Sequence, residues 1–128
     1  MFELTILVDF AAAHCIPDYP GKCQRLHGHN WKVEVSVQGD KLDNLGMLVD
    51  FSELKRRVNM VLDTLDHHYL NEIESFRQVN PTAENIACYI YEQLEKDFST
   101  LETISVSKVT VWESLHSAAS YRKMSIKS

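Results

Sequence analysis

Glycine and proline are scarce, with four and three in 128 residues. That excludes a collagen-like or low-complexity chain. Cysteine is scarcer in usable pairs: Cys15, Cys23 and Cys88 make an odd number, which does not read as a disulfide framework. No apolar run approaches the roughly 18 residues a membrane helix needs, so no membrane association is expected. Positive charge is outnumbered, 13 Lys and Arg against 18 Asp and Glu, for a net charge of -5. A broad nucleic-acid surface needs a net basic face and is not expected here, although one local basic pocket is compatible with the count. The opening "MFELTILVDF" alternates and carries no basic stretch ahead of an apolar core, so it is not read as a secretory signal. The expected compartment is the cytoplasm.

What is present is a globular composition, 45% hydrophobic and 24% charged. A chain of this length buries roughly two-thirds of its unfolded surface on folding. No repeat, low-complexity tract or linker interrupts it, and residues 1–128 are expected to form one domain. From Phe2 to His14 the even positions are Phe2, Leu4, Ile6, Val8, Phe10, Ala12 and His14, a period-two strand pattern. A cleaner alternation follows, with His27, His29, Trp31, Val33, Val35 and Val37 on one face. "GDKLDNLG" makes a turn-rich connection punctuated by Gly39 and Gly46, and a short strand is possible near Met47–Val49. Helical spacing then takes over: Leu54, Val58, Val61, Leu62 and Leu65 recur at i, i+4, i+7, i+8 and i+11. Asp50 with Glu53 resembles a capping box. Thr82 reads as the N-cap of a second helix whose buried stripe is Ile86, Ile90, Leu94 and Phe98. Alternation returns in "ISVSKVTVWES", where Val109, Val111 and Glu113 share a face, and less clearly in "SAASYRKMSIKS". The order ββααββ packs naturally as an α+β fold, an antiparallel four-stranded sheet with two helices on one face.

The candidate chemistry lies between the first two strands, in "AAAHCIPDYPGKCQRLHGHNW". If these strands pair as an antiparallel hairpin, His14 at the end of one meets His27 and His29 at the start of the other. Spacing of i, i+2 puts the last two rings on one side. A lone histidine on an apolar face is usually a satisfied core residue; three at one corner each need their own partners. Three neutral nitrogen ligands suit zinc and leave a fourth position open, as in catalytic sites. Cys23 in the loop could instead close a structural His-His-His-Cys site. Cys15, directly after His14, points to the other face on a continuing strand and reads as a buried small hydrophobe.

Two further features carry chemistry. In "LDHHYLN", Asp66 beside His67 could orient an imidazole that activates a thiol elsewhere. The plainer reading is a helix end, where histidine suits the negative C-terminus. Glu113 continues an apolar strand face, where a carboxylate is costly unless paired. Either it reaches solvent at the strand end, or it binds a flat heterocycle bearing adjacent N–H donors.

The combination resembles the 6-pyruvoyl-tetrahydropterin synthase family. The matching stretches are "FAAAH" at 10–14, "CQRLHGHN" at 23–30, "LVDFSELK" at 48–55, "LDHHYLN" at 65–71, "NPTAENIA" at 80–87 and "VWES" at 111–114. They run in the family's order and cover nearly the whole chain. Cys23 stands four residues before His27, a spacing similar to the 6-carboxy-5,6,7,8-tetrahydropterin synthase branch. The pyruvoyl branch typically has two more residues there.

The resemblance implies a tunneling fold whose ββααββ units join through their sheets into a trimeric β-barrel, two trimers stacking as a homohexamer with active sites between subunits. It implies Zn2+ held by His14, His27 and His29, Cys23 as general base, and Asp66 with His67 as its relay. Glu113 corresponds to the family's pterin-anchoring glutamate, also described as part of the relay. Glu84 and Thr82 correspond to its pterin-pocket segment. No catalytic counterpart is assigned to His68, which reads as a helix-end residue. The implied reaction converts 7,8-dihydroneopterin triphosphate to 6-carboxy-tetrahydropterin with release of acetaldehyde and triphosphate, within queuosine biosynthesis. Lys22 and Arg25 flank Cys23 and, by position only, could attract the triphosphate; both could equally be solvated. The competing readings are a pyruvoyl-type synthase, which expels triphosphate without C–C cleavage, and a noncatalytic zinc-stabilised binding module.

Overall fold

The computed structural model describes residues 1–17 and 26–124, with nothing said of the His27 side chain. Strands β1 (Phe2–His14) and β2 (His27–Gly39) are followed by helices α1 (Phe51–Leu62) and α2 (Ala83–Asp97), then strands β3 (Ser105–Trp112) and β4 (Ala118–Tyr121). The four strands form one antiparallel sheet in the order β1-β2-β3-β4. This is the expected ββααββ order. The segment around Met47–Val49 is not a strand.

Period two decides which side of the sheet is covered. Ile6, Phe10, Ala12 and His14 of β1 are buried, as are Trp31, Val33, Val35 and Val37 of β2. These meet Leu54, Val58, Leu62 and Leu65 from α1 and its exit, and Ile86, Ile90, Leu94 and Phe98 from α2 and the turn after it. Truncating one of these leucines to alanine costs about 2–5 kcal/mol, because the cavity collapses only in part. On the other face, two buried hydroxyls each find an exposed one: Ser36 with Thr5 at 2.8 Å and Thr110 with Ser120 at 2.7 Å.

A bulge keeps the third strand in phase. Ser36 pairs with Lys108 but Val37 pairs with Val106, so Ser107 is the extra residue. Val106 and Val109 are three apart, odd for a period of two, yet both are buried. The inserted residue resets the parity. From Val109 onward every second side chain then faces the helices, which carries Glu113 to that face.

Helix starts follow local chemistry. Thr82 caps α2, its hydroxyl accepting from the Asn85 N–H at 3.2 Å. Asp50 caps α1 by accepting from the Ser52 N–H at 2.7 Å. The expected reciprocal bond from Glu53 is not the one formed. Glu53 instead pairs with Arg56 at 2.6 Å and Arg57 at 3.1 Å. Two guanidiniums outbid one backbone N–H, and they hold its carboxyl down at about 2, Arg56 contributing most. Arg57 also reaches Asp97 at 2.9 Å, tying α1 to the end of α2. Gly39 ends β2 where only a hydrogen fits: a Cβ there would run into the Thr103 carbonyl and a Leu48 methyl.

Candidate metal centre

Strand register assembles the corner. His14 lies opposite His27, and Ala12 opposite His29. Glu113 stands one step beyond the Lys32–Trp112 pair, beside the same end of β2. Its N–H donates to the Ser117 carbonyl at 3.2 Å, continuing the β3–β4 hairpin past the last ladder pair. Three elements distant in sequence therefore deliver side chains to one place.

The result is a cluster of His14, His29 and Glu113, with one ligand-type atom from each lying within 4.8 Å of the others. The Nε2 atoms of His14 and His29 stand 3.4 and 3.1 Å from Glu113 Oε1. His14 is fully buried, while His29 and Glu113 keep 24% and 32% of their side-chain surface open. The side chains of His29 and Glu113 are thus only partly open, and the His29 Nε2 atom facing the cluster is itself buried.

Aromatic packing fixes the rings. Trp31 lies edge-on to both imidazoles, with centroids 4.9 Å from His14 and 5.1 Å from His29, and Phe10 stacks with it. The indole N–H donates to the Ala12 carbonyl at 3.3 Å. A further bond sets the chemistry: His14 Nδ1 lies 2.8 Å from the Pro81 carbonyl oxygen. A carbonyl can only accept, so Nδ1 carries a proton, and the neutral form of the ring presents its Nε2 lone pair to the cluster. That lone pair and the Glu113 carboxylate are both acceptors. A proton or a cation between them resolves the conflict, and two imidazoles with a carboxylate suit a divalent first-row metal. Carbonyl-oriented histidine is also the usual outer support of such sites. The donor set fits zinc.

Of the three expected metal histidines, the structure brings the ring nitrogens of His14 and His29 together. For His27 the backbone position, directly across from His14, is what is described. Cys23, Lys22 and Arg25 lie outside the described residues. Glu113 is the surprise. Its strand face was legible from Val109 and Val111, but its approach to both imidazoles was not. Pro81 and Trp31 were also missed as supports. The only available signals were the "NPTAENIA" stretch and the i, i+2 relation of Trp31 to His29.

Asp66 and His67 do pair, Oδ2 to Nδ1 at 2.9 Å, but neither belongs to the His14–His29–Glu113 grouping. They sit on the free edge of β1, where the Ala11 N–H donates to Asp66 Oδ1 at 2.9 Å and the His67 N–H to the Ala11 carbonyl. The Ala11 N–H and, after it, the His67 ring hold the Asp66 carboxyl below its usual range. His67 has φ of 60° and an 80% exposed side chain. A left-handed backbone at a non-glycine residue is costly and persists where surrounding bonds over-determine it. His68 donates from Nδ1 to the Asp66 carbonyl at 2.8 Å; it lies six residues beyond the end of α1, in the segment that follows the helix rather than at the expected helix end. Thr82 is committed to its cap, and Glu84 is exposed in the first turn of α2. Cys15 is half-buried rather than buried.

With this geometry in hand, similarity to known proteins is informative. The family profile described as 6-pyruvoyl tetrahydropterin synthase matches residues 3–124. A Haemophilus influenzae protein named 6-carboxy-5,6,7,8-tetrahydropterin synthase is 33% identical, the match covering 96% of this chain and all of that one. A Bacillus subtilis protein of the same name is 42% identical over 79% of this chain and 70% of its own. The solved structure of Caenorhabditis elegans 6-pyruvoyl tetrahydropterin synthase superposes with a TM-score of 0.84 at 30% identity, covering 96% of each chain.

Proposed function

The chain belongs to the 6-pyruvoyl tetrahydropterin synthase family, and from that premise we propose that it is a zinc-dependent 6-carboxy-5,6,7,8-tetrahydropterin synthase. Its substrate on this reading is 7,8-dihydroneopterin triphosphate, and its products are 6-carboxy-tetrahydropterin, acetaldehyde and triphosphate, in the supply of 7-deazaguanine for queuosine. The observation that carries the proposal is the convergence of His14 and His29 on Glu113 at the buried end of the hairpin.

His14 and His29 hold the ion, with His27 as third ligand from its place across from His14. Zn2+ bound there supplies Lewis acidity to the side-chain oxygens of the substrate. The Pro81 carbonyl keeps His14 in the tautomer that binds. Glu113, which the geometry also places within reach of the ion, is assigned on this reading to the pterin ring, accepting from its adjacent N–H groups, a pairing in which a carboxylate matches two donors. Cys23 acts as general base, and Asp66 holds the His67 ring that serves it. Thr82, Glu84 and Arg25 are assigned to the rest of the substrate pocket. His67 projects from the outer edge of β1, which supports an active site completed between subunits of a homohexamer.

The likeness to a solved pyruvoyl-type synthase favours one second reading, triphosphate elimination without C–C cleavage. Incubating the purified, zinc-loaded protein with 7,8-dihydroneopterin triphosphate separates them. Stoichiometric acetaldehyde is the expected outcome; a pyruvoyl product without acetaldehyde replaces the first reading with the second.

A further inference from the structure

Alternate residues of a strand send their backbone groups to opposite edges. His14 faces β2, where it pairs with His27, so Ala13 and Cys15 on either side of it face the free edge of β1. That edge is covered by the chain leaving α1. The Ala13 N–H donates to the His68 carbonyl at 3.1 Å, and Ala13 forms a parallel bridge with Tyr69. With the Ala11 bonds to Asp66 and His67 this makes a short ladder, two rungs long, in line with the strand.

The third rung cannot be backbone. After Tyr69 the chain coils into a 3-10 turn at Leu70–Glu72, rooted by fully buried Leu70, and leaves the edge. The side chain of Asn71 takes its place. The Cys15 N–H donates to Asn71 Oδ1 at 2.9 Å, and Asn71 Nδ2 donates to the Cys15 carbonyl at 2.8 Å. A carboxamide offers one acceptor and a donor in the plane of a peptide group, so it continues the ladder as a peptide would. Aspartate lacks the donor, and leucine lacks both.

We infer that Asn71 is a positioning residue for the metal centre, holding the last turn of β1 straight so that His14 reaches both Pro81 and Glu113. The inference rests on the metal-site reading above and names a residue that reading does not use. His14 contributes nothing to the free edge itself; both of its neighbours are pinned there, and Cys15 is pinned by Asn71 on two atoms. Losing that clamp frees the strand end to fray, and His14 Nε2 then drifts by more than a metal site tolerates.

The test uses metal-free full-length protein titrated with Co2+, read by the visible d–d bands and by competition against a chelator. Asn71→Ala is expected to weaken Co2+ binding by about tenfold or more and to shift the bands. Asn71→Asp, which keeps the acceptor but sets a second acceptor against the Cys15 carbonyl, is expected to do the same and carries the test if the alanine variant does not fold. Tyr91→Phe serves as the stability control, since its hydroxyl bonds to Val106 at the far end of the sheet; it is expected to bind Co2+ as the parent does. Parent-like affinity and bands in the folded Asn71 variants overturn the inference, as does an equal weakening in Tyr91→Phe. A parent protein with no Co2+ spectrum sensitive to His29→Ala removes the metal site itself, and this inference with it.

Discussion

The ring of His14 and the carbonyl of Pro81, 67 residues apart in the chain, are joined by a 2.8 Å hydrogen bond in the protein interior. It links the last residue of β1 to the residue preceding the α2 cap, and it selects which nitrogen of His14 faces the cluster. The candidate metal centre is therefore held by the segment leading into α2 as well as by the sheet.

That bond separates the two histidines experimentally. His29→Ala removes a partly open side chain and is expected to abolish zinc binding while leaving the stability of metal-free protein near the parent's. His14→Ala also strips the Pro81 carbonyl of its donor and leaves a cavity, costing a further 2–4 kcal/mol or about that in metal-free protein. Metal analysis with urea melts of both variants checks it. Equal melts would show that the Pro81 bond contributes little.

Glu113→Gln keeps the shape and removes the charge. With Glu113 as substrate anchor, zinc content is expected to hold while kcat/KM falls by about 10- to 100-fold, the range for losing a charged hydrogen bond, mainly through KM. A variant that loses zinc instead would place Glu113 among the metal ligands.

Asp66 carries a pH signature. Its folded carboxyl titrates lower than the unfolded one, so the stability it contributes is complete above the ordinary carboxylate value, about 4, and is lost as pH falls through the lower folded value. Asp66→Asn keeps an acceptor for the Ala11 N–H but abolishes that ionisation. Its acid-unfolding curve is expected to be shallower than the parent's below pH 4 or so, and its kcat to drop by about tenfold or more as His67 loses its orienting partner. Unchanged kcat would detach the dyad from catalysis.

Gly39→Ala tests the close approach at the end of β2. The added methyl meets backbone at Thr103 and a side chain at Leu48, an overpacking expected to cost about 1–3 kcal/mol. Chemical denaturation measures it, and a parent-like midpoint would mean the Thr103 loop yields freely.

Strand faces and helix starts could be read directly because they depend on neighbours in sequence. The even positions of β1, the His27–Val37 alternation, the Thr82 cap and the stripe from Ile86 to Phe98 all rest on spacings of two to four residues. The Asp50–Glu53 box failed for the same kind of reason in reverse: Arg56 and Arg57 were equally local competitors and better partners for a carboxylate. The bulge at Ser107 was hidden in plain view, as a slip of phase between Val106 and Val109.

Local pattern therefore placed His14 and His29 on the apolar faces of two strands, and Glu113 on that of a third. It could not say how close they would come. That distance depends on the β1–β2 and β2–β3 registers, on the inserted Ser107, and on α2 settling where the Pro81 carbonyl meets His14. Such contacts join residues tens of positions apart, and their geometry is set by how whole elements pack against one another, a quantity no short stretch of chain encodes.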